Sequence, residues 1–157
     1  MGEVPIVFTR RIIMRIWHYK LLPYLPTLQF KGQLRELVAI MHDWRDKGTT
    51  NHILINKVME YPKSDLASYM WLYCEEHGRR YDLDCKESLL GEFIDFADGG
   101  KFNPYPFNDW HNKEYLRICM SNLLEKHRGI GKSRITDEEW QRLLDGYKEI
   151  TSEEYKI

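Results

Sequence analysis

The sequence has few cysteines, no long apolar run and no large excess of charge of either sign. Only three of its 157 residues are cysteine, an odd number that does not suit a disulfide-stabilised secreted domain. No stretch approaches the roughly 18 apolar residues of a membrane-spanning helix. The short apolar run at the start precedes its arginine pair, which is the reverse of a secretory leader. These absences favour a cytoplasmic chain with reduced thiols that binds no membrane.

The net charge of −1 gives no general reason to expect a polyanionic partner, but the charges are unevenly distributed. Residues 1–48 hold eight Lys and Arg against four Asp and Glu, a balance of +4. The remaining residues hold fifteen against twenty, a balance of −5. Because a local excess of positive charge attracts phosphate groups, we expect any anion-binding surface in the first third of the chain.

Helical periodicity dominates the apolar pattern. Apolar residues form 43% of the chain, enough for one compact core. The i, i+3, i+4, i+7 spacing of one helical face is shown by Leu34, Leu37, Val38 and Met41. No convincing pair of strands is present. The sequence therefore predicts an all-α fold, a single compact domain of about five helices with long loops at 48–52, 78–84, 99–109 and 129–135.

Capping residues predict where the helices begin and end. The predicted starts are Thr27, Ser64, Asp109 and Thr136. Thr136 is followed three residues later by Glu139, which is the pattern of a capping box. Because glycine commonly follows the last turn of a helix, Gly48 and Gly78 predict the ends of the first two.

Two pairs of potential metal ligands have helical spacing: Cys74 with His77, and His111 with Glu114. Four such ligands would suit zinc if the two helices met. A catalytic pair formed by a cysteine nucleophile and a histidine base is the alternative. No CxxC motif accompanies them, and a free cysteine on an apolar face is more often a buried small hydrophobic residue. We therefore expect core packing here, and no metal or cofactor.

The adjacent Arg35 and Glu36 of KGQLREL are the best candidates for chemistry. Successive helical residues diverge by about 100°, so one of the two should reach the edge of the core. A carboxylate held there needs a partner or a function. Further cations lie nearby in sequence: Arg15, Lys20 and Lys31. A basic patch around one acid would suit an enzyme acting on a phosphodiester, and the alternative is an ordinary salt bridge of Glu36.

The stretch MRIWHYKLLPYLP at 14–26, followed by LQFKGQLRE at 28–36, resembles the start of the pyrimidine-dimer DNA glycosylase family, the phage endonuclease V type. Bacterial relatives often open with M-R-[IL]-W and carry a later Arg-Glu pair. The resemblance extends loosely to residue 127. It implies an all-α fold that starts at Met14, with residues 1–13 an amino-terminal extension that need not be translated and 14–157 the single domain.

The same resemblance implies a DNA repair protein that acts on damaged double-stranded DNA as an N-glycosylase and abasic-site lyase. In the family, the terminal amine attacks the sugar C1′ and forms a Schiff base, while a glutamate beside an arginine stabilises the cationic sugar. Glu36 falls on that glutamate, and Arg35 on the arginine that contacts phosphate. The amine would come from Met14, or from Lys20 as a substitute. An α-amino group, with a pKa of about 8, is more often neutral than lysine at pH 7.

The predicted DNA-binding set is Arg15, His18, Lys31 and Arg35, on a protein expected to be a monomer. The chain departs from the family where the large Arg15 follows Met14, and where Ala39 replaces a family arginine. Two other functions therefore stay open. One is a non-catalytic DNA-binding relative, and the other is a soluble interaction domain unrelated to nucleic acid, which the −5 balance of residues 49–157 favours.

Overall fold

The computed structural model describes residues 16–48, 57–82, 87–129 and 134–157. A 3-10 helix, Tyr19–Tyr24, is followed by α1 Thr27–Lys47, α2 Lys63–Tyr81, α3 Glu87–Ala97, α4 Lys113–Arg128 and α5 Asp137–Thr151. No strand occurs in these ranges, and the predicted all-α class is confirmed. Of the helices so described, none is both long enough and apolar enough to cross a bilayer.

The central helix is α2, which packs against α1, α3 and the 3-10 helix. One face of α2 is fully buried, as its periodicity predicts: Leu66, Tyr69, Met70 and Tyr73. Each such side chain stabilises the fold by about 1.5–3 kcal/mol through removal of apolar surface from water. The last helix, α5, packs against α4 and against the 3-10 helix, so it closes the domain over the amino-terminal segment.

Two predicted helix boundaries are confirmed in detail. Gly48 follows α1 with a φ of 71°, a left-handed conformation that glycine adopts without strain. At the start of α5, the Glu139 N–H donates to Thr136 Oγ1 over 3.1 Å. The Thr136 N–H donates to Glu139 Oε1 over 3.0 Å, which completes the predicted capping box.

Two other predicted boundaries are wrong. Helix α2 does not end at Gly78 but continues to Tyr81, because Arg80 near its end is held by contacts made inside the protein. Helix α4 is capped by Asn112 rather than by Asp109, and the Asn112 side chain accepts the Tyr115 N–H over 2.9 Å. The residues before Asn112 instead form a run of turns.

Candidate active site at the amino-terminal segment

The short extended segment before the 3-10 helix is fixed inside the core by three side chains that bind its backbone. The Tyr115 hydroxyl donates to the Ile16 carbonyl over 2.6 Å. The Tyr69 hydroxyl donates to the Trp17 carbonyl over 2.6 Å, and the Trp17 N–H donates to Gln33 Oε1 over 2.8 Å. Because buried backbone groups cost free energy when unpaired, these bonds hold the segment in one place on α1, α2 and α4.

Gln33 connects this segment to the predicted acid. Its side chain is fully buried, and its Oε1 also accepts the Tyr69 hydroxyl over 3.1 Å. Residues three apart on a helix are neighbours, so Glu36 lies one turn along the same face of α1. Burial raises the pKa of Tyr69 well above its ordinary value of 10, and the neighbouring Tyr115 and the charge of Glu36 add to this rise. The half-buried Glu36 carboxylate is therefore electrostatically coupled to the hydroxyl that fixes the segment.

Arg35 and Glu36 point to different environments, as their 100° separation predicts. Arg35 is exposed, whereas Glu36 is half-buried at the core edge. Exposed positions follow one another at four-residue spacing along α1, namely Thr27, Lys31 and Arg35. Such spacing places all three on one edge of the helix. The cations predicted to bind phosphate thus lie in solvent along the helix that carries the acid.

The remaining predicted site residues fall in three different places. Lys20 is exposed, and its Nζ lies 6.0 Å from the centroid of the Tyr19 ring. His18 is only 2% exposed, and its Nδ1 accepts the Lys20 N–H over 3.1 Å. Direct contact of His18 with DNA stays a prediction, one that its burial does not support. Met14 and Arg15 lie outside the described residues.

Two buried histidines stand behind the segment. The ring centroids of His18 and His111 lie 5.2 Å apart, and His111 Nδ1 accepts the Tyr19 N–H over 3.1 Å. Burial lowers the pKa of His18 to about 4, although hydrogen bonds to the backbone at His111 and Asn112 partly offset this effect. Burial and the proximity of His18 lower the pKa of His111 well below 6.5. Both rings are therefore neutral at pH 7 and contribute packing rather than charge.

The two candidate ligand pairs do not form a common metal site. Within the described residues, no group of three or more His, Cys, Asp and Glu side chains is arranged to hold a metal ion. His111 is 3% exposed and lies in an aromatic cluster with Tyr115 and Trp110, while Cys74 is half-buried on α2.

Sequence reasoning missed the three side chains that hold the segment, namely Gln33, Tyr69 and Tyr115. A signal was present for Tyr69, because a tyrosine on an otherwise apolar helix face requires a partner for its hydroxyl. Gln33 carried a similar signal at a core position of α1. Nothing local could name their partners, which lie 16 to 99 residues away in the chain.

Residues 14–88 match the family model of pyrimidine dimer DNA glycosylases. The match supports that family. It covers 75 of the 157 residues, just under half, and begins at the second methionine. It includes the fixed segment, the 3-10 helix, α1 and α2, and therefore Gln33, Glu36 and Tyr69. Over these residues the chain is therefore similar to DNA glycosylases of pyrimidine dimers. Comparison with curated proteins and with solved structures gave no match.

Proposed function

We propose that this protein is a DNA repair enzyme that removes damaged pyrimidines and then cleaves the abasic strand through a Schiff base. The observation that supports it is the attachment of the amino-terminal segment to the turn of α1 that carries Glu36. The Trp17 N–H and the Glu36 side chain meet the same face of α1, because Gln33 binds the first and precedes the second by three residues.

Covalent geometry then limits where a terminal amine can lie. Two residues of chain span at most about 7 Å, so the amine of a protein that begins at Met14 stays within about 7 Å of the Ile16 nitrogen. The Ile16 carbonyl is itself fixed by Tyr115. We propose that an amine confined to this radius and the Glu36 carboxylate act on the same deoxyribose, because the charge of Glu36 acts on the Tyr69 hydroxyl that binds the Trp17 carbonyl.

The proposed reaction breaks three bonds of the damaged nucleotide, from C1′ to the base, from C1′ to O4′ and from C3′ to the phosphate oxygen. The neutral amine attacks C1′, the bond from C1′ to the damaged base breaks, and the base leaves with a proton. The C1′–O4′ bond then breaks, O4′ takes a proton from Glu36, and the amine nitrogen forms an iminium with C1′. The resulting iminium makes the C2′ proton acidic, so its loss to a base expels the 3′ phosphate and cleaves the strand. Water then hydrolyses the imine and frees the enzyme. Glu36 stabilises the cationic sugar electrostatically and carries these protons.

Arg35, Lys31 and Arg15 are proposed to bind the backbone phosphates beside the reacting sugar. Arginine suits this role because its planar guanidinium binds phosphate in a bidentate manner. The sugar C1′ is inaccessible inside a stacked duplex, so the damaged nucleotide or its partner must be extruded. If the chain begins at a residue other than Met14, we propose that the Lys20 side chain supplies the amine instead.

Borohydride trapping on abasic-site DNA tests the proposal. Protein beginning at Met14 should give a covalent complex, and Glu36→Gln should reduce its yield at least tenfold because the iminium loses its counter-charge. Asp43→Asn, two turns further along α1 and paired with Lys47, is the matched control and should leave the yield unchanged. Equal yields from wild type and Glu36→Gln would contradict the proposal.

A second form of the experiment distinguishes the amine donors. Protein beginning at Met1 should cross-link poorly, since its amine lies thirteen residues before Met14. If the Met1 form cross-links equally well and Lys20→Arg abolishes that cross-link, Lys20 is the nucleophile. Salt-sensitive DNA binding without any cross-link in either form would favour the non-catalytic relative, for which the large Arg15 after Met14 is the supporting observation.

A further inference from the structure

A polar cavity of about 560 Å³ opens where the 3-10 helix meets α1, beside the end of α2 and the start of α5. Its wall carries three arginines, Arg79, Arg80 and Arg142. It also carries two glutamates, Glu76 and Glu139. No part of the catalytic proposal uses this cavity.

Both glutamates of the cavity are occupied by donors of the protein itself. Glu76 is 3% exposed and accepts Arg79 Nε over 3.0 Å and Arg80 Nε over 2.8 Å. Glu139 belongs to the capping box of α5, and its second oxygen accepts the Thr27 N–H over 3.4 Å. The two carboxylates therefore hold neighbouring groups of the cavity wall in place. Three arginines against two glutamates give the cavity a net charge of +1.

Two of the arginines donate hydrogen bonds to backbone carbonyls of the 3-10 helix. Arg80 Nη2 donates to the Leu22 carbonyl over 2.9 Å, and its guanidinium carbon lies 4.1 Å from the centroid of the Phe30 ring. Arg142 Nη2 donates to the Pro23 carbonyl over 2.7 Å. These bonds use one nitrogen of Arg142, so its remaining N–H groups can bind an oxyanion. A guanidinium that is already ordered loses little side-chain entropy on binding.

The amino terminus of α1 is already paired with a carboxylate, because Glu139 Oε2 accepts the Thr27 N–H over 3.4 Å. The arginines therefore carry the positive potential of the cavity, and phosphate is the anion whose geometry matches guanidinium pairs.

The cavity borders the exposed edge of α1 that carries the proposed phosphate-binding cations. Thr27 lines the cavity, and Lys31 and Arg35 follow it at four-residue spacing. Eight residues of helix cover about 12 Å, so a strand bound at Lys31 and Arg35 would have further phosphates near the cavity.

We propose that the arginine cavity binds a backbone phosphate of the DNA strand under repair, beyond the phosphates bound by Lys31 and Arg35. The inference rests on the proposed function for its choice of DNA as the source of the phosphate. A free phosphate ion has the same chemistry and is the competing occupant.

The salt dependence of DNA binding tests this proposal. Arg142→Gln should lower affinity several-fold at 50 mM salt and reduce the slope of log K against log salt by about 1, equally for all sequences. Lys148→Gln removes the same charge from the same helix, where Lys148 is exposed and pairs with Glu154, and should leave the slope unchanged. Arg142→Lys should restore most of the slope, which a purely structural role through the Pro23 carbonyl would not.

An unchanged slope in Arg142→Gln, an equal fall in Lys148→Gln, or no DNA affinity in wild type would each overturn the inference. A titration with inorganic phosphate, followed by NMR at the arginine side chains, separates the two sources. Millimolar phosphate binding with an unchanged DNA slope would identify a free-anion site and reject the DNA assignment. If Arg142→Gln cross-links normally with borohydride and its slope of log K against log salt is unchanged, this inference is wrong but the proposed function is unaffected.

Discussion

The tyrosine hydroxyls are the individual groups on which the candidate site most depends. A buried hydroxyl contributes only about 1 kcal/mol when paired, but leaving its partners unpaired costs more. Tyr69 serves a backbone carbonyl and the Gln33 side chain at once, so a single atom links α2, α1 and the extended segment. The extended segment and the turn of α1 that precedes Glu36 are therefore joined by the same polar group.

Tyr69→Phe should destabilise the protein by about 1–3 kcal/mol, because the Trp17 carbonyl and Gln33 Oε1 lose a buried donor. Denaturant unfolding measures the change as a shift in midpoint with an unchanged m-value. Tyr105→Phe removes the same hydroxyl from a side chain that is 58% exposed, and should change stability by less than about 0.5 kcal/mol. Equal effects of the two substitutions would show that the hydrogen bonds of Tyr69 contribute nothing specific.

At the scale of helices, the sequence predicts the presence of a helix better than the residue at which it ends. Apolar periodicity and the Thr136–Glu139 capping box are local signals, and the structure confirms them. The end of α2 passes Gly78 because Arg80 finds Glu76 and a distant carbonyl, which no local pattern contains. The hydrogen bonds of the extended segment could not be predicted for the same reason, since they join it to residues on three different helices.

Two helical glycines should respond in opposite ways to alanine. Gly146 of α5 lies against Tyr24, and a Cβ there would meet the ring carbon Cγ at 2.4 Å. Gly146→Ala should therefore force α5 away from the 3-10 helix and destabilise the fold by about 1–3 kcal/mol. Gly91 of α3 has nothing within 4 Å of such a Cβ, so Gly91→Ala should stabilise by about 0.5–1 kcal/mol through helix propensity. Thermal unfolding of the two variants measures the direction of each change in stability. A stabilising effect of Gly146→Ala would contradict the close packing against Tyr24.

For the whole molecule, the charge distribution has to be reconciled with a DNA substrate. Net charge −1 is unusual for a protein that relies on general attraction to DNA. If DNA is the substrate, as we propose, the arginine cavity together with the exposed Lys31 and Arg35 provides a local surface for its phosphates. The acidic remainder of the chain would then repel phosphate elsewhere and orient the duplex on that edge.

This arrangement predicts a moderate salt dependence for the intact protein. Five phosphate contacts, at Arg15, Lys31, Arg35, Arg79 and Arg142, give a slope of log K against log salt of about −4.5, since each contributes about 0.9. Raising salt from 50 to 200 mM should then weaken binding by roughly 500-fold, which fluorescence anisotropy with a labelled duplex can follow. A protein bound through its whole surface would show a much steeper slope. A slope near zero, or no binding at low salt, would instead favour the interaction domain unrelated to nucleic acid, because no ion release would accompany its contacts.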